Sequence, residues 1–371
     1  MRTDWLIVGA GLSGVTFAER IASQRGEKVV IIDQRDHVGG NVYDEYNEHG
    51  ILTHKYGPHI FHTNDQEVFE YLSQFTSWRP YQHKVLGLVE GQLIPLPFNL
   101  NSIDALFSRT MSTRLSDKLV AAYGHGANVP ILQLRESGDV DLRFLANFVY
   151  QNVFENYTKK QWGMTPEELS PSVTARVPIR VSRGNRYFQD KYQAIPSEGY
   201  TVMIRRMLSH PNIRIMLKDS WKDVANDIKH KKILFTGQID EFFQFIHGVL
   251  PYRSLNFDMQ THNCYKYQSA PVINYPNDYE YTRVTEWKLL TGQIHSQTAS
   301  CREYSAVHVY GSTIPYYPIP RDENIKILEK YKLEAKKMTP STFIAGRLGM
   351  YKYLNMDEVV KNSLNIIKNG I

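Results

Sequence analysis

The chain begins with a short apolar run, Leu6-Ile-Val8, that passes directly into Gly9-Ala-Gly11-Leu-Ser-Gly14. No other feature constrains the fold as strongly. Glycines at this spacing after a strand permit a tight turn, a close approach of backbone to a pyrophosphate, and close packing of the next helix on the sheet. The phosphates then sit at the helix N-terminus, where free N–H groups and the helix dipole favour negative charge. A second buried strand, Val29-Val-Ile-Ile-Asp33, ends on a carboxylate nineteen residues after Gly14, and Gly39-Gly-Asn41 follows. A carboxylate in that place is expected to bond a ribose hydroxyl, favouring an adenosine ribose without a 2′-phosphate. The opening segment therefore predicts a Rossmann-type dinucleotide site.

A chain of 371 residues exceeds one ordinary core, so two or three domains are expected. Hydrophobic residues at 42% and charged residues at 22% describe a folded protein. No apolar run approaches the roughly 20 residues of a membrane span. Asp4 and the glycine turn lie where a signal peptide would have its apolar stretch, so a cytoplasmic protein without a membrane association is expected. Cys264 and Cys301 have no motif spacing and suit a reducing compartment. His59-x-x-His62 follows a Gly57-Pro58 turn, and no metal is expected there. The net charge of +5, without a Lys/Arg run, argues against nucleic acid and fits an anionic small ligand.

Residues 67–75 are predicted helical, and 85–89 with 93–98 a hairpin whose prolines put its second strand at an edge. From Ser102 to about Tyr157 the pattern is helical, with Leu142, Leu145, Val149 and Val153 on one stripe. Strands are expected at 177–181, 213–217, 232–235, 272–275, 281–285, 306–310 and 342–346. A closing helix over 357–368 is expected to be capped by Asn355, with Glu358 in the capping-box position. The fold class is then α/β. A discontinuous Rossmann-like domain (1–79, 189–247 and 328–371) receives a helical bundle (98–170) and an antiparallel sheet domain (80–97, 171–188 and 248–327).

The chain has no Gly-x-Ser-x-Gly elbow, no phosphate-loop lysine motif and no convincing carboxylate pair, so the chemistry is assigned to a cofactor. Arg176, Arg253, Arg283 and Arg347 lie beside aromatics and turns, where planar guanidinium groups can bind phosphate bidentately.

In chain order the glycine turn is followed by Tyr56-Gly-Pro-His-Ile-Phe-His-Thr63, Tyr157-Thr-Lys-Lys-Gln-Trp-Gly163, Tyr281-Thr-Arg283, Pro315-Tyr-Tyr-Pro-Ile319 and Gly346-Arg-Leu-Gly-Met-Tyr-Lys-Tyr-Leu-Asn-Met356. With these motifs the chain resembles the bacterial UDP-galactopyranose mutases over nearly its whole length. The resemblance implies an isomerase that holds FAD and works only when the flavin is reduced. In that family flavin N5 attacks the sugar C1 and expels the nucleoside diphosphate. The sugar ring then opens and recloses through its 4-hydroxyl to give the furanose, a form of covalent catalysis.

The same resemblance implies Arg176, on a mobile lid, and Arg283 as the pair that holds the diphosphate, with His59 and His62 beside the flavin. It implies a uridine pocket of Phe154, Tyr157, Thr158, Trp162 and Asn274, with Tyr187, Tyr317 and Tyr353 reaching the phosphates and His83 the sugar. Cofactor binding is implied for Gly9, Gly11, Leu12, Ser13, Gly14, Asp33, Gly40, Asn41, His59, Ile60, Arg253, Gly346, Arg347, Tyr353, Asn355 and Met356. A homodimer, a flavin reductant such as NAD(P)H or a reductase, and a nucleotide-diphospho-hexose substrate feeding cell-surface polysaccharide complete the expectation.

Asn355 stands where many relatives carry aspartate, Ser312-Thr-Ile314 is not acidic, and the segment from Asn274 to Arg283 is about one residue short. These departures bring UDP-N-acetylgalactosamine and a dTDP-6-deoxyhexose such as fucose forward as alternative substrates. A flavin oxidoreductase of the amine oxidase type shares the first 41 residues and is the rival enzyme class; a nucleotide-binding protein without catalysis is the second rival.

Overall fold

The computed structural model describes residues 1–169, 178–224, 227–338 and 340–369. The chain divides into two compact units, one of Met1–Tyr81, Asp190–Tyr252 and Pro315–Ile371, the other of Gln82–Gln189 and Arg253–Ile314.

In the first unit β1 (Arg2–Val8), α1 (Leu12–Arg25) and β2 (Val29–Asp33) follow one another as the opening motif requires. Both strands are apolar through their centres because the sheet is covered on two faces. The five-stranded sheet is parallel throughout, in the order Ile213–Leu217, β2, β1, Lys229–Phe235, Thr342–Ile344. Numbered along the chain, that order is 3-2-1-4-5, so its direction reverses at β1 and places a ligand crevice at the carboxyl end of that strand. The core beside α1 gathers Phe17, Ile21, Tyr200, Met203, Val360 and Leu364. A smaller antiparallel sheet of Phe61–Thr63, Tyr192–Pro196 and Trp78–Pro80 flanks it.

The second unit contains the hairpin β3 (Val85–Val89) and β4 (Gln92–Leu96). Its helices include α2 (Val140–Val149), capped by the Asp139 carboxylate, and α3 (Asn156–Trp162), closed by Gly163 in the left-handed region. Between them Tyr150–Glu155 forms one wide π-helical turn. Then come β5 (Tyr252–His262), β6 (Val272–Asn274), β7 (Arg283–Glu286) and β8 (Thr298–Val307). These six strands follow one another in the order β5-β8-β7-β6-β3-β4 within a seven-stranded sheet. The expected antiparallel sheet is corrected at one place: β6 and β3 run parallel, because they come from distant chain segments and no hairpin forces their direction.

Leu142, Leu145, Val149 and Val153 are buried in one core with Val85, Ile94, Leu96 and Val272 of the sheet. The helical and sheet parts of the sequence-based division thus share a hydrophobic interior, and we propose that division as a subdivision of the second unit. The strand expected at 306–310 is instead the end of β8, which begins at Thr298; Val309 turns the chain through a bond from its N–H to Thr313 Oγ1. A 16-residue helix, Asp322–Lys337, was not predicted. Its dense Lys and Glu content hides a sparse inward face of Asn324, Leu328 and Tyr331.

Candidate functional site

The glycine turn is built by close contacts. Gly9 has φ +103°, and a Cβ there would lie 2.1 Å from Thr236 Oγ1, a hydroxyl that donates to Val8 O at the end of β1. A Cβ on Gly14 would meet Gly9 O at 2.0 Å. Gly39 N–H donates to Ala10 O, which seats Gly39 and Gly40 on the turn, and a Cβ on Gly40 would come within 2.8 Å of Gly11 Cα. Gly11 differs: its φ is −78° and a Cβ would have only Gly40 Cα nearby, at 3.8 Å. Gly9, Gly14 and Gly40 are thus glycines for the fold. Nothing in the protein itself requires glycine at 11.

Helix α1 starts at Leu12 without a side-chain cap and without an acid in its first turn, so the N–H groups of Leu12, Ser13 and Gly14 keep their capacity for an anion. Asp33 Oδ2 accepts from Ala10 N at 2.8 Å and its Oδ1 from Arg35 N at 2.9 Å, which fixes the carboxylate beside the turn. Arg35 donates to Asn41 Oδ1 and lies over the Tyr56 ring, while its buried Nη1 has no partner. An open face at Gly11, an uncapped helix start, a fixed carboxylate and an unpartnered guanidinium nitrogen together fit a dinucleotide cofactor.

Other predicted cofactor residues return to the same unit. Gly346, at φ +79°, would put a Cβ 3.4 Å from Ser13 Cβ. Tyr317 and Tyr353 stack at 5.3 Å, and the Arg347 guanidinium lies 5.9 Å from the Tyr317 ring centre. Met356 opens α4 (Met356–Lys368), and Asn355 N–H donates to Glu358 Oε2 at 2.7 Å, the capping arrangement read from the sequence.

The histidine loop is ordered by a chain of polar contacts. His54 is fully buried, and burial holds its imidazole neutral with a pKa lowered to about 3, so Nδ1 accepts from His59 N at 3.1 Å. His59 Nδ1 donates to Gly57 O at 2.8 Å, and Ile60 is buried between the two predicted histidines. His62 Nδ1 lies 3.0 Å from Asp190 Oδ2, and a carboxylate can only accept, so the proton is on Nδ1.

In the second unit β-sheet register places predicted residues in one row. Asn274 on β6 is opposite Arg283 on β7, which is opposite Glu303 on β8, so all three share a face. Arg283 donates from Nε and Nη2 to Glu303 Oε2 at 3.0 and 2.7 Å. Glu303 is only 2% exposed, and its Oε1 has no partner. Asn274 Oδ1 is likewise buried without one. His83 is buried against Tyr187, with Tyr187 N–H donating to His83 O at 2.8 Å.

The wide turn explains α3. One residue added to a helical turn rotates the following face by about 100°, which ends the buried stripe at Val153. No residue of α3 is buried, and Phe154, Tyr157, Thr158 and Trp162 are all half-buried.

Arg253, expected at the cofactor, has its described bonds at the end of α3 and on β8. Its guanidinium donates to the carbonyls of Gln161 and Lys160 at the end of α3 and to Ser305 Oγ, and burial lowers its pKa. Arg176 and its expected lid lie outside the described residues. Sequence reasoning missed Glu303, Asp190 and Arg35. Glu303 had a legible signal, a charged residue in step with Cys301 and Ser305 on an alternating strand, but the strand was expected to begin only at 306.

A family model described as UDP-galactopyranose mutase matches residues 152–353, and one described as an NAD(P)-binding Rossmann-like domain matches residues 7–75. A probable UDP-galactopyranose mutase of Klebsiella pneumoniae is 38% identical over 363 residues, 97% of this chain and 92% of that one. A dTDP-fucopyranose mutase of Escherichia coli is 36% identical over 367 residues, 97% and 96% of the two chains. Among solved structures, a reduced UDP-galactopyranose mutase superimposes with a TM-score of 0.71 at 15% identity, covering 100% of this chain and 94% of that one. A double mutant of putrescine oxidase superimposes with a TM-score of 0.60 at 11% identity, covering 99% of each chain. The structural likenesses speak to the fold, whereas the sequence relatives span both chains almost end to end. The chain belongs to the UDP-galactopyranose mutase family.

Proposed function

We propose that the chain is a flavin-dependent isomerase that interconverts the pyranose and furanose forms of a nucleotide-diphospho-hexose, with UDP-galactopyranose as its substrate. The observation that carries this reading is the cross-strand row of half-buried Asn274 and Arg283 with buried Glu303, in the unit that also holds the half-buried aromatic face of α3. A fixed cation for a diphosphate and a stacking surface for a base are what a nucleotide sugar requires. An amine substrate is itself a cation and gains nothing from a fixed guanidinium.

The cofactor in this reading is FAD, held by Gly9, Gly11, Leu12, Ser13, Gly14, Asp33, Gly40 and Asn41, with Ile60, Gly346, Arg347, Tyr353, Asn355, Met356 and Arg253 completing its surroundings. Bound and reduced, it supplies the nucleophile for the sugar C1. The protein's own residues bind and orient: Arg283 and Arg176 keep the departing diphosphate close, Tyr187, Tyr317 and Tyr353 reach its oxygens, and His83 meets the sugar hydroxyls. Tyr157, Thr158, Trp162, Phe154 and Asn274 hold the base. His59 and His62, each with Nδ1 donating to a fixed acceptor, stand beside the ring system. The enzyme is assigned to the cytoplasm as a homodimer, reduced by NAD(P)H or a reductase, its product used for cell-surface polysaccharide such as O antigen or capsule. Among the described residues no helix is long and apolar enough to cross a membrane.

The test is incubation of dithionite-reduced protein with UDP-galactopyranose, UDP-N-acetylgalactosamine and dTDP-fucopyranose, with chromatography for furanose products. Furanose formed only after reduction, with no oxygen or nicotinamide consumed in turnover, is the expected result. Equal turnover by oxidised protein, or stoichiometric oxygen uptake, overturns it. A dTDP-sugar preferred over the UDP-sugars supports the second reading, which the Escherichia coli relative named dTDP-fucopyranose mutase motivates.

A further inference from the structure

The loop between β6 and β7 is fastened to the wide turn by one side chain. Asn277 Nδ2 donates to Asn152 O at 3.0 Å, inside the turn, and Asn277 Oδ1 accepts from Asn156 Nδ2 at 3.0 Å, at the first residue of α3. Lys160 Nζ, whose pKa burial lowers, donates to Tyr275 O at 2.8 Å from the other end of α3. The same loop begins at Asn274, whose Oδ1 is buried and unpartnered.

A π-helical turn is less favourable than the α-helix it interrupts and persists where outside contacts hold it. Here the carbonyl of Asn152 and the amide of Asn156 bracket the inserted residue, and a single amide group spans both. Releasing that group frees the turn to tighten, which rotates Tyr157 and Thr158 away from their present angle to Asn274.

We propose that Asn277 is a positioning residue for nucleobase recognition: its clasp on the wide turn sets the face of α3 against Asn274, and the base selected carries an imide N–H, as uracil and thymine do. This rests on the mutase reading. The unpartnered Asn274 Oδ1 is an acceptor suited to that imide, and cytosine offers a lone pair at the same place. The clasp acts on the base and leaves the Arg283 end of the row untouched.

The test is calorimetric titration of the oxidised holoenzyme with UMP, dTMP, CMP and inorganic pyrophosphate. Wild-type protein is expected to prefer UMP or dTMP over CMP by about tenfold or more, the scale of one satisfied against one opposed hydrogen bond. Asn277→Ala is expected to lose most of that preference while binding pyrophosphate as the wild type does. In turnover its KM rises about tenfold with kcat within about twofold, the mark of lost binding rather than lost chemistry. Asn156→Ala, which removes one of the two bonds, gives an intermediate effect and carries the test if Asn277→Ala fails to fold. Equal weakening of pyrophosphate and UMP, an unchanged UMP-to-CMP ratio in the variants, or a wild type without that preference overturns the inference. Wild-type protein that discriminates the bases yet forms no furanose sinks the mutase reading and leaves the clasp standing.

Discussion

Arg283 and Glu303 face each other across β7 and β8, with Nε and Nη2 of the guanidinium both on one carboxylate oxygen. A bidentate pair would use both oxygens. The one-sided geometry leaves Glu303 Oε1 unpartnered and fixes the plane of the guanidinium from behind. The carboxylate in this arrangement holds the Arg283 guanidinium in one orientation.

Removing either member has a separable cost. Arg283→Ala leaves a carboxylate with 2% exposure unpaired, so it is expected to lower stability by about 3 kcal/mol and to abolish turnover. The double variant Arg283→Met with Glu303→Gln removes both charges and is expected to recover most of the stability and none of the activity. Urea denaturation of the three proteins reads the difference; a double variant no more stable than Arg283→Ala contradicts the pairing argument.

The glycine turn separates fold from ligand. Gly14→Ala drives a Cβ into Gly9 O and is expected to destabilise the protein by more than about 2 kcal/mol. Gly11→Ala meets nothing closer than 3.8 Å, so its melting temperature with no cofactor bound should match the wild type, while flavin content after purification falls sharply. Full flavin occupancy in Gly11→Ala would show that no pyrophosphate approaches there.

Asp33→Ala removes the acceptor of two backbone N–H groups and the group assigned to the ribose. Flavin retention on dialysis is expected to weaken by about tenfold or more, as for loss of a charge-assisted bond. Absorbance of the dialysed protein near the flavin maximum measures it, and an undiminished ratio to wild type refutes the role.

His54 makes stability depend on pH. Its folded pKa is about 3 and its unfolded value is 6.5, so below pH 6.5 the unfolded chain binds a proton that the native fold refuses. Stability therefore falls as pH falls from 6.5 toward 3, by about 1.4 kcal/mol per unit from this group. His54→Asn removes the titration. Its stability relative to wild type should improve steadily between pH 6 and pH 4, and parallel acid profiles of the two proteins would dismiss the assignment.

Much of the first unit was legible in the residues. Short buried strands ending in glycine, an acid at the end of the second, and the Asn355 and Glu358 cap are local signals, each requiring only a few neighbouring positions. The hairpin at 85–96 and the stripe from Leu142 to Val153 were readable for the same reason. The Asp322–Lys337 helix was not, because only Asn324, Leu328 and Tyr331 of it are buried and charge dominates its composition. Glu303 was missed because its partner is twenty residues away on another strand, and Asp190 because His62 is distant in sequence.

By itself the sequence determined the Rossmann-type opening, the places of most helices and strands, and the motifs that carry the family. The tertiary structure decided which polar atoms meet: Arg283 with Glu303, Asn277 with the wide turn, His62 with Asp190. The reason is physical. Periodicity and turn chemistry act over a few residues, whereas register across strands and the pairing of buried polar groups depend on chain segments brought together only by folding.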